Sequence, residues 1–150
     1  MGVLSNLTEE IKNAMLTKDS VKLESLRAIK SAVLLAETSS GSSGKLSDQE
    51  AIKLLQRLVK QRKDSASIFK EQNRLDLAEH EEAQAKVISA FLPTQFTDKE
   101  IESAIAVIIE TIEANGMKDM GKVMGIASKK LEGKADGKRI SDIVKKKLGA

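Results

Sequence analysis

The apolar residues of this chain recur three and four positions apart along most of its length. In the N-terminal part they form four groups. The first two are (Leu4, Leu7, Ile11, Ala14, Met15) and (Val21, Leu26, Ile29, Val33). The next two are (Ile52, Leu55, Val59, Ala66, Phe69) and (Ala78, Ala85, Ile88, Leu92). In the C-terminal part they form three groups, which are Ile101, Ile105, Ile108, Ile109 and Ile112, then Met120, Val123, Met124, Ala127 and Leu131, and then Ile140, Ile143, Val144 and Leu148. This spacing places each group on one face of an α-helix. The pattern therefore predicts an all-α protein with about four helices followed by three.

Polar residues mark where several of these helices begin and end. Ser47 with Glu50, and Thr97 with Glu100, have the spacing of a capping box, in which the two side chains satisfy each other's free backbone N–H groups. The helix that begins after Ser47 is predicted to run to about residue 72, because Asn73 can adopt the left-handed conformation that ends a helix.

The Ser- and Gly-rich segment 38–47 is predicted to be a flexible surface loop. The helix that begins after Thr97 is predicted to end at Asn115-Gly116. A domain boundary is placed between Phe91 and Phe96, around the single proline. The predicted domains are therefore residues 1–93, an N-terminal bundle of about four helices, and residues 94–150, a small C-terminal domain of three helices.

Composition narrows the classes of protein. A chain of 150 residues with 41% hydrophobic residues has enough apolar side chains for a folded core. The absence of cysteine excludes disulfides, thiolate nucleophiles and metal sites with thiolate ligands. No apolar stretch approaches the roughly 20 residues of a membrane span, and the N-terminus lacks the pattern of a signal peptide. We therefore expect a soluble, cytoplasmic protein that does not bind a membrane.

The net charge of +3 is distributed unevenly. Residues 118–150 contain ten Lys or Arg and four Asp or Glu, a net charge of +6, so that residues 1–117 carry −3. A basic tail of this kind favours an anionic partner, and lysines neutralise phosphates without reading sequence. Because no aromatic residues accompany them, backbone contacts with a structured RNA are expected rather than stacking on bases. The candidate nucleic-acid contacts are Lys118, Lys122, Lys129, Lys130, Lys134, Lys138, Arg139, Lys145, Lys146 and Lys147. The alternative is a lysine-rich surface that only contacts water.

An acidic cluster around the only histidine invites a metal or acid–base interpretation. Its members are Asp76, Glu79, His80, Glu81 and Glu82. No second histidine or facing Glu-x-x-His pair completes a carboxylate-bridged site, which favours a solvated helix surface. We therefore expect no catalytic residue, no metal and no cofactor.

A basic run precedes this cluster on the long third helix. It consists of Arg57, Lys60, Arg62 and Lys63. If the third and fourth helices are antiparallel, these cations are expected to form ion pairs with the acidic cluster.

The glycines of the tail do not have the spacing of a phosphate-binding loop, and no strand precedes them. Gly121 and Gly125 lie one helical turn apart, so they are expected to allow close approach of a neighbouring helix. Gly133 and Gly137 are expected to shape the turn between the last two helices, with Asp136 near the N-cap.

The tail also carries a family resemblance. Residues 119–124, Asp-Met-Gly-Lys-Val-Met, followed by residues 133–138, Gly-Lys-Ala-Asp-Gly-Lys, resemble the C-terminal domain of the GatB/YqeY family. The resemblance covers nearly the whole chain and also includes residues 14–15, 18–19, 26–29, 73–78, 81 and 92–93. This chain departs from the family at Asn73, where Gly is usual, at Phe69 and Phe91, where Tyr is common, and in its Ser/Gly loop.

The resemblance implies a relation to the C-terminal region of the B subunit of the aspartyl/glutamyl-tRNA amidotransferase, and similar modules are appended to a glutaminyl-tRNA synthetase. It therefore implies contact with tRNA, while no segment of this chain is similar to the catalytic body of the B subunit. We expect a non-catalytic tRNA-binding or tRNA-enzyme accessory protein. Two alternatives are a protein–protein adaptor that docks on a synthetase or an amidotransferase, and a carbon–nitrogen ligase with glutamine as amido donor, a label inherited through the resemblance.

Overall fold

The computed structural model describes residues 2–39 and 44–149. Within these ranges the chain forms seven α-helices and one 3-10 helix, without a β-strand. The helices are α1 (Leu7–Leu16), α2 (Ser20–Thr38), α3 (Asp48–Glu71), α4 (Leu75–Ser89), α5 (Asp98–Ile112), α6 (Met120–Lys130) and α7 (Gly137–Gly149), and the 3-10 helix is Met117–Asp119. The prediction of an all-α protein is confirmed.

The chain divides into two compact units, Met1–Pro93 and Thr94–Ala150, called here the first and second unit. The first unit holds α1 to α4, and its core includes Leu26, Ile29, Leu55 and Ile88. The second unit holds α5 to α7 around its own apolar core. That the two units are domains, each able to fold separately, stays a prediction.

Both capping boxes are present. The Ser47 hydroxyl accepts a hydrogen bond from the Glu50 backbone N–H at 3.2 Å, and the Glu50 carboxylate accepts one from the Ser47 N–H at 2.8 Å. Thr97 and Glu100 make the same reciprocal pair at the start of α5. Asn73 has φ 59° just beyond α3, so the predicted end of this helix is also confirmed.

The predictions for the end of α5 and for one residue of α1 were wrong. Helix α5 ends at Ile112 instead of Asn115-Gly116, because Glu113 adopts the left-handed conformation at φ 54° and the Ala114 N–H donates to the Ile109 carbonyl. Met15 was placed on the buried face of α1, but its side chain is 54% exposed whereas the adjacent Ala14 is buried.

The predicted Ser/Gly loop can be compared with the structure only in part. Residue 38 is the last residue of α2, and residues 39 and 44–47 lie outside helices. Residues 40–43 lie outside the described residues.

The α3 capping box makes stability dependent on pH. Hydrogen bonds from the Ser47 backbone and then its hydroxyl lower the pKa of Glu50 below its ordinary value of 4.5. Because the pKa is lowered in the folded state, the ionised carboxylate stabilises the fold above pH 4.5, and this contribution is lost as the pH falls through the folded-state pKa. We therefore expect the stability difference between the wild type and Glu50→Gln to decrease with acidification.

Thermal unfolding of both proteins between about pH 7 and about pH 3 measures this difference. Glu71→Gln, which removes an exposed carboxylate at the other end of the same helix, is the matched control. A difference between the wild type and Glu50→Gln that stays constant over this range would contradict the expectation.

Candidate nucleic-acid interface

The outward sides of α6 and α7 carry most of the basic residues predicted from the sequence. Val123 and Ala127 of α6, and Ile140 and Val144 of α7, are buried in the core of the second unit. The opposite sides of both helices therefore face away from this core, and they carry Lys122 and Lys129 of α6 and Lys138 and Lys145 of α7.

Seven of the ten predicted residues have exposed side chains without an ion pair to any described residue. They are Lys118, Lys122, Lys129, Lys130, Lys138, Lys145 and Lys147. Lys122 and Lys129 lie two helical turns apart, one above the other on the outer side of α6. This surface, called here the lysine surface, can donate hydrogen bonds to anions without first breaking an intramolecular ion pair.

The other three predicted residues are engaged within the second unit. Lys146 Nζ lies 3.9 Å from a carboxylate oxygen of Glu102, and the Lys146 side chain is exposed whereas that of Glu102 is half-buried. Lys134 Nζ lies 5.3 Å from the centre of the Phe96 ring, within the range of a cation–π interaction.

Arg139 has the most intramolecular partners of the three. Its Nη2 lies 2.7 Å from Asp98 Oδ1 and 3.1 Å from the Phe96 carbonyl oxygen, and its Nε lies 3.2 Å from Asp98 Oδ1. These bonds connect the first turn of α7 to the start of α5. Sequence reasoning assigned Arg139 to phosphate contact and could not find this pairing, because 41 residues separate Arg139 from Asp98.

A second set of hydrogen bonds holds the turn between α6 and α7 against the chain before α5. The Phe96 N–H donates to the Lys134 carbonyl at 2.8 Å, and the Gln95 side chain donates to the Gly133 carbonyl at 2.7 Å. Gly133 is buried and has φ 79°, a conformation that glycine adopts without strain. Its predicted role in the turn is confirmed, and the turn fixes where α7 and its lysines begin.

The prediction for Gly121 and Gly125 was wrong. Both residues are exposed, and a β-carbon built at either would meet no atom of the described residues within 4 Å, apart from neighbouring residues and the backbone of α6. The two glycines therefore do not accommodate a neighbouring helix. They lie on the solvent side of α6, the side that also carries Lys122 and Lys129.

The glycines of this region should respond in opposite ways to substitution. Gly133→Ala is expected to destabilise the second unit by about 1–2 kcal/mol, because an L-residue is strained at positive φ. Gly125→Ala is expected to stabilise it by up to about 1 kcal/mol, because alanine favours an exposed helical position that has space for a methyl group. Chemical denaturation of the two variants measures both effects. A destabilised Gly125→Ala protein would show that a neighbour contacts this face after all.

The predicted ion pairs between the third and fourth helices form only in part. Of the basic run, only Arg62 reaches the acidic cluster, with its Nε 3.9 Å from Glu81 Oε2. Lys60 instead pairs with Asp64 on its own helix, and Arg57 and Lys63 have no ion pair with a described residue. A further pair not anticipated from the sequence joins Lys70 to Glu82. These pairs support a structural role for both sets of charges.

The acidic cluster itself is divided among several partners. Arg74 lowers the pKa of Asp76 through a side-chain hydrogen bond, and His80 Nε2 lies 3.4 Å from Glu24 Oε2 of α2. Within the described residues, no group of three or more His, Cys, Asp or Glu is arranged to hold a metal ion. In the same part of the chain, no helix is both long and apolar enough to cross a membrane.

Comparison with known proteins finds similarity along almost the full chain. The profile of the family described as "Yqey-like protein" matches residues 4–148. The chain is 30% identical over 152 residues to "Altered inheritance of mitochondria protein 41, mitochondrial" of Pyrenophora tritici-repentis, which covers 99% of this chain and 82% of that protein.

Two further relatives are covered less completely. The protein of the same name from Clavispora lusitaniae is 34% identical over 117 residues, which are 76% of this chain and 66% of that protein. A "Glutamyl-tRNA(Gln) amidotransferase" subunit of Thermococcus gammatolerans is 41% identical over 86 residues, which are 54% of this chain but only 13% of that protein.

Proposed function

Since the chain belongs to the Yqey-like protein family, we propose that it is a non-catalytic tRNA-binding or tRNA-enzyme accessory protein that binds RNA through the lysine surface. The observation that carries this proposal is the concentration of seven exposed lysines without ion pairs in the described part of the second unit. The similarity to an amidotransferase subunit whose name includes Glutamyl-tRNA(Gln) supports tRNA as the RNA.

The chemistry of lysine fits a phosphate backbone better than individual bases. An ammonium group acts as a point charge, and its contact with phosphate releases counterions, so the affinity falls as salt rises. Lysines in the last turn of a helix interact favourably with the helix dipole, and this interaction alone would explain the presence of Lys129 and Lys130 at the end of α6. It does not explain Lys122 or Lys138, which lie near the starts of α6 and α7.

Titration of labelled tRNA with the full chain at several salt concentrations tests the proposal. We expect log K to fall linearly with log salt, with a slope of about −0.9 for each phosphate contact. An unstructured RNA of equal length is the matched control and is expected to bind more weakly, because the lysine surface contains no aromatic side chain for stacking on bases. Absence of tRNA binding at low salt would refute the proposal.

A second candidate function is an adaptor that docks on an aminoacyl-tRNA synthetase or an amidotransferase. The observation that favours it is the pair Leu34 and Leu35 near the end of α2, whose side chains are 60% and 72% exposed. Pull-down of such an enzyme that resists ribonuclease and is lost in a Leu34→Ser/Leu35→Ser variant would support the adaptor. Capture that disappears with ribonuclease would support RNA binding instead.

Location and activity are further parts of the proposal that can be tested directly. We propose a cytoplasmic protein, although relatives carry a mitochondrial name, and fractionation of cells that express the full-length protein decides between these compartments.

The inherited label of a carbon–nitrogen ligase with glutamine as amido donor predicts glutamine-dependent amidation by the purified chain. The non-catalytic proposal predicts none.

A further inference from the structure

A buried glutamine in the first unit contacts an arginine and a histidine, and the histidine in turn lies close to a glutamate. Gln84 of α4 is only 5% exposed, and its Oε1 lies 2.7 Å from Nε of Arg62 on α3. Its Nε2 lies 3.0 Å from Nε2 of His80, one turn earlier on α4. The same His80 nitrogen lies 3.4 Å from Oε2 of Glu24 on α2. The Gln84 amide therefore links α3 to the only histidine of the chain.

Arg62 determines which way the Gln84 amide points. A guanidinium has only donors, so the atom of Gln84 next to Arg62 must be the carbonyl oxygen. The amide NH₂ then faces His80, and the imidazole nitrogen that it meets must be an acceptor. A neutral His80 that satisfies this contact carries its proton on Nδ1.

Protonation changes Nε2 of His80 from a hydrogen-bond acceptor to a donor. Nε2 of an imidazolium carries a hydrogen, so it can no longer accept from Gln84, and two donors would face each other across 3.0 Å. Glu24 Oε2, on the other side, can accept a charge-assisted hydrogen bond from the same Nε2–H. Glu79 and Glu81 flank His80 on α4, and Glu81 Oε2 lies 3.9 Å from Nε of Arg62 on α3.

We propose that His80 is a pH-dependent connector that accepts from Gln84 when neutral and pairs with Glu24 of α2 when protonated. Acidification thus exchanges a hydrogen bond within α4 for an ion pair between α4 and α2. This inference does not depend on RNA binding, because all four side chains lie in the first unit. Histidine is suited to such a role because it changes charge near physiological pH.

Nitrogen NMR of the uniformly labelled full chain tests the proposal, and the single histidine makes the imidazole signals unambiguous. At about pH 7.5 we expect the Nδ1–H tautomer, and on titration to about pH 5 we expect the Gln84 side-chain amide signals to shift with the same midpoint as the imidazole signals. Gln84→Met is expected to return the neutral ring to the Nε2–H tautomer, which predominates for free histidine in water.

Two variants separate the connector from a general response to pH. Glu24→Gln is expected to abolish the shift of α2 backbone amides near residue 24 that accompanies imidazole protonation, whereas Glu79→Gln, an exposed carboxylate next to His80, is expected to leave it unchanged. The proposal is overturned by an Nε2–H tautomer in the neutral wild type, or by Gln84 amide signals that do not move during the titration. The wild-type spectra alone decide this if Gln84→Met does not fold.

Discussion

Ile105→Ala is expected to reduce the stability of the second unit by about 2–5 kcal/mol. Ile105 is fully buried on α5 and belongs to the same core as Val123 of α6 and Val144 of α7. Removing its side-chain carbons leaves a cavity at the centre of a unit with only three α-helices among its described residues, so few neighbouring side chains can move in to fill it.

The same substitution tests whether the two units are separate domains. If they are, Ile105→Ala shifts one of two unfolding transitions and leaves the other in place. Ile29→Ala, at a fully buried position of the first unit, is the matched variant and is expected to shift only the other transition. Calorimetry and chemical denaturation measure both. One cooperative transition that both substitutions lower equally would contradict the prediction of two domains.

The helices of this protein could be predicted from sequence because the signals for them are local. The serine and threonine caps depend on residues three positions apart, as Ser47 with Glu50 shows, and the apolar face of α7 follows from the spacing of four residues that are all buried. The end of α5 was missed because Glu113 carries no sequence signal for a left-handed conformation, which Gly and Asn usually adopt.

The contacts that shape the candidate interface could not be predicted, because they depend on which helices meet. The sequence placed Arg139 among the cations of a basic tail, whereas in the structure it is hydrogen-bonded to Asp98 and to the Phe96 carbonyl. Gly125 looked like a packing glycine because spacing alone does not show which side of a helix is covered. The charge of the tail was visible from the sequence, whereas the division into free and engaged cations required the structure.

That division identifies the substitutions with the largest expected effect on RNA binding. Replacing Lys122, Lys129, Lys130 and Lys145 by Gln removes four exposed lysines that have no ion pair with a described residue, so no intramolecular carboxylate loses its partner. Each lost phosphate contact reduces the salt slope by about 0.9, so the slope should fall by roughly 3 to 4. We expect tRNA affinity at low salt to fall by at least about a hundredfold.

The matched control keeps the change in net charge but moves it to the first unit. Lys12, Lys18, Lys30 and Lys63 are exposed there without an ion pair to a described residue, and their replacement by Gln should change tRNA affinity by less than about tenfold, since only long-range attraction is reduced. Circular dichroism of both variants checks that the helices remain. Equal losses in the two variants would mean that net charge, and not the lysine surface, determines binding, and an unchanged affinity in the first would remove the lysine surface from the proposed function.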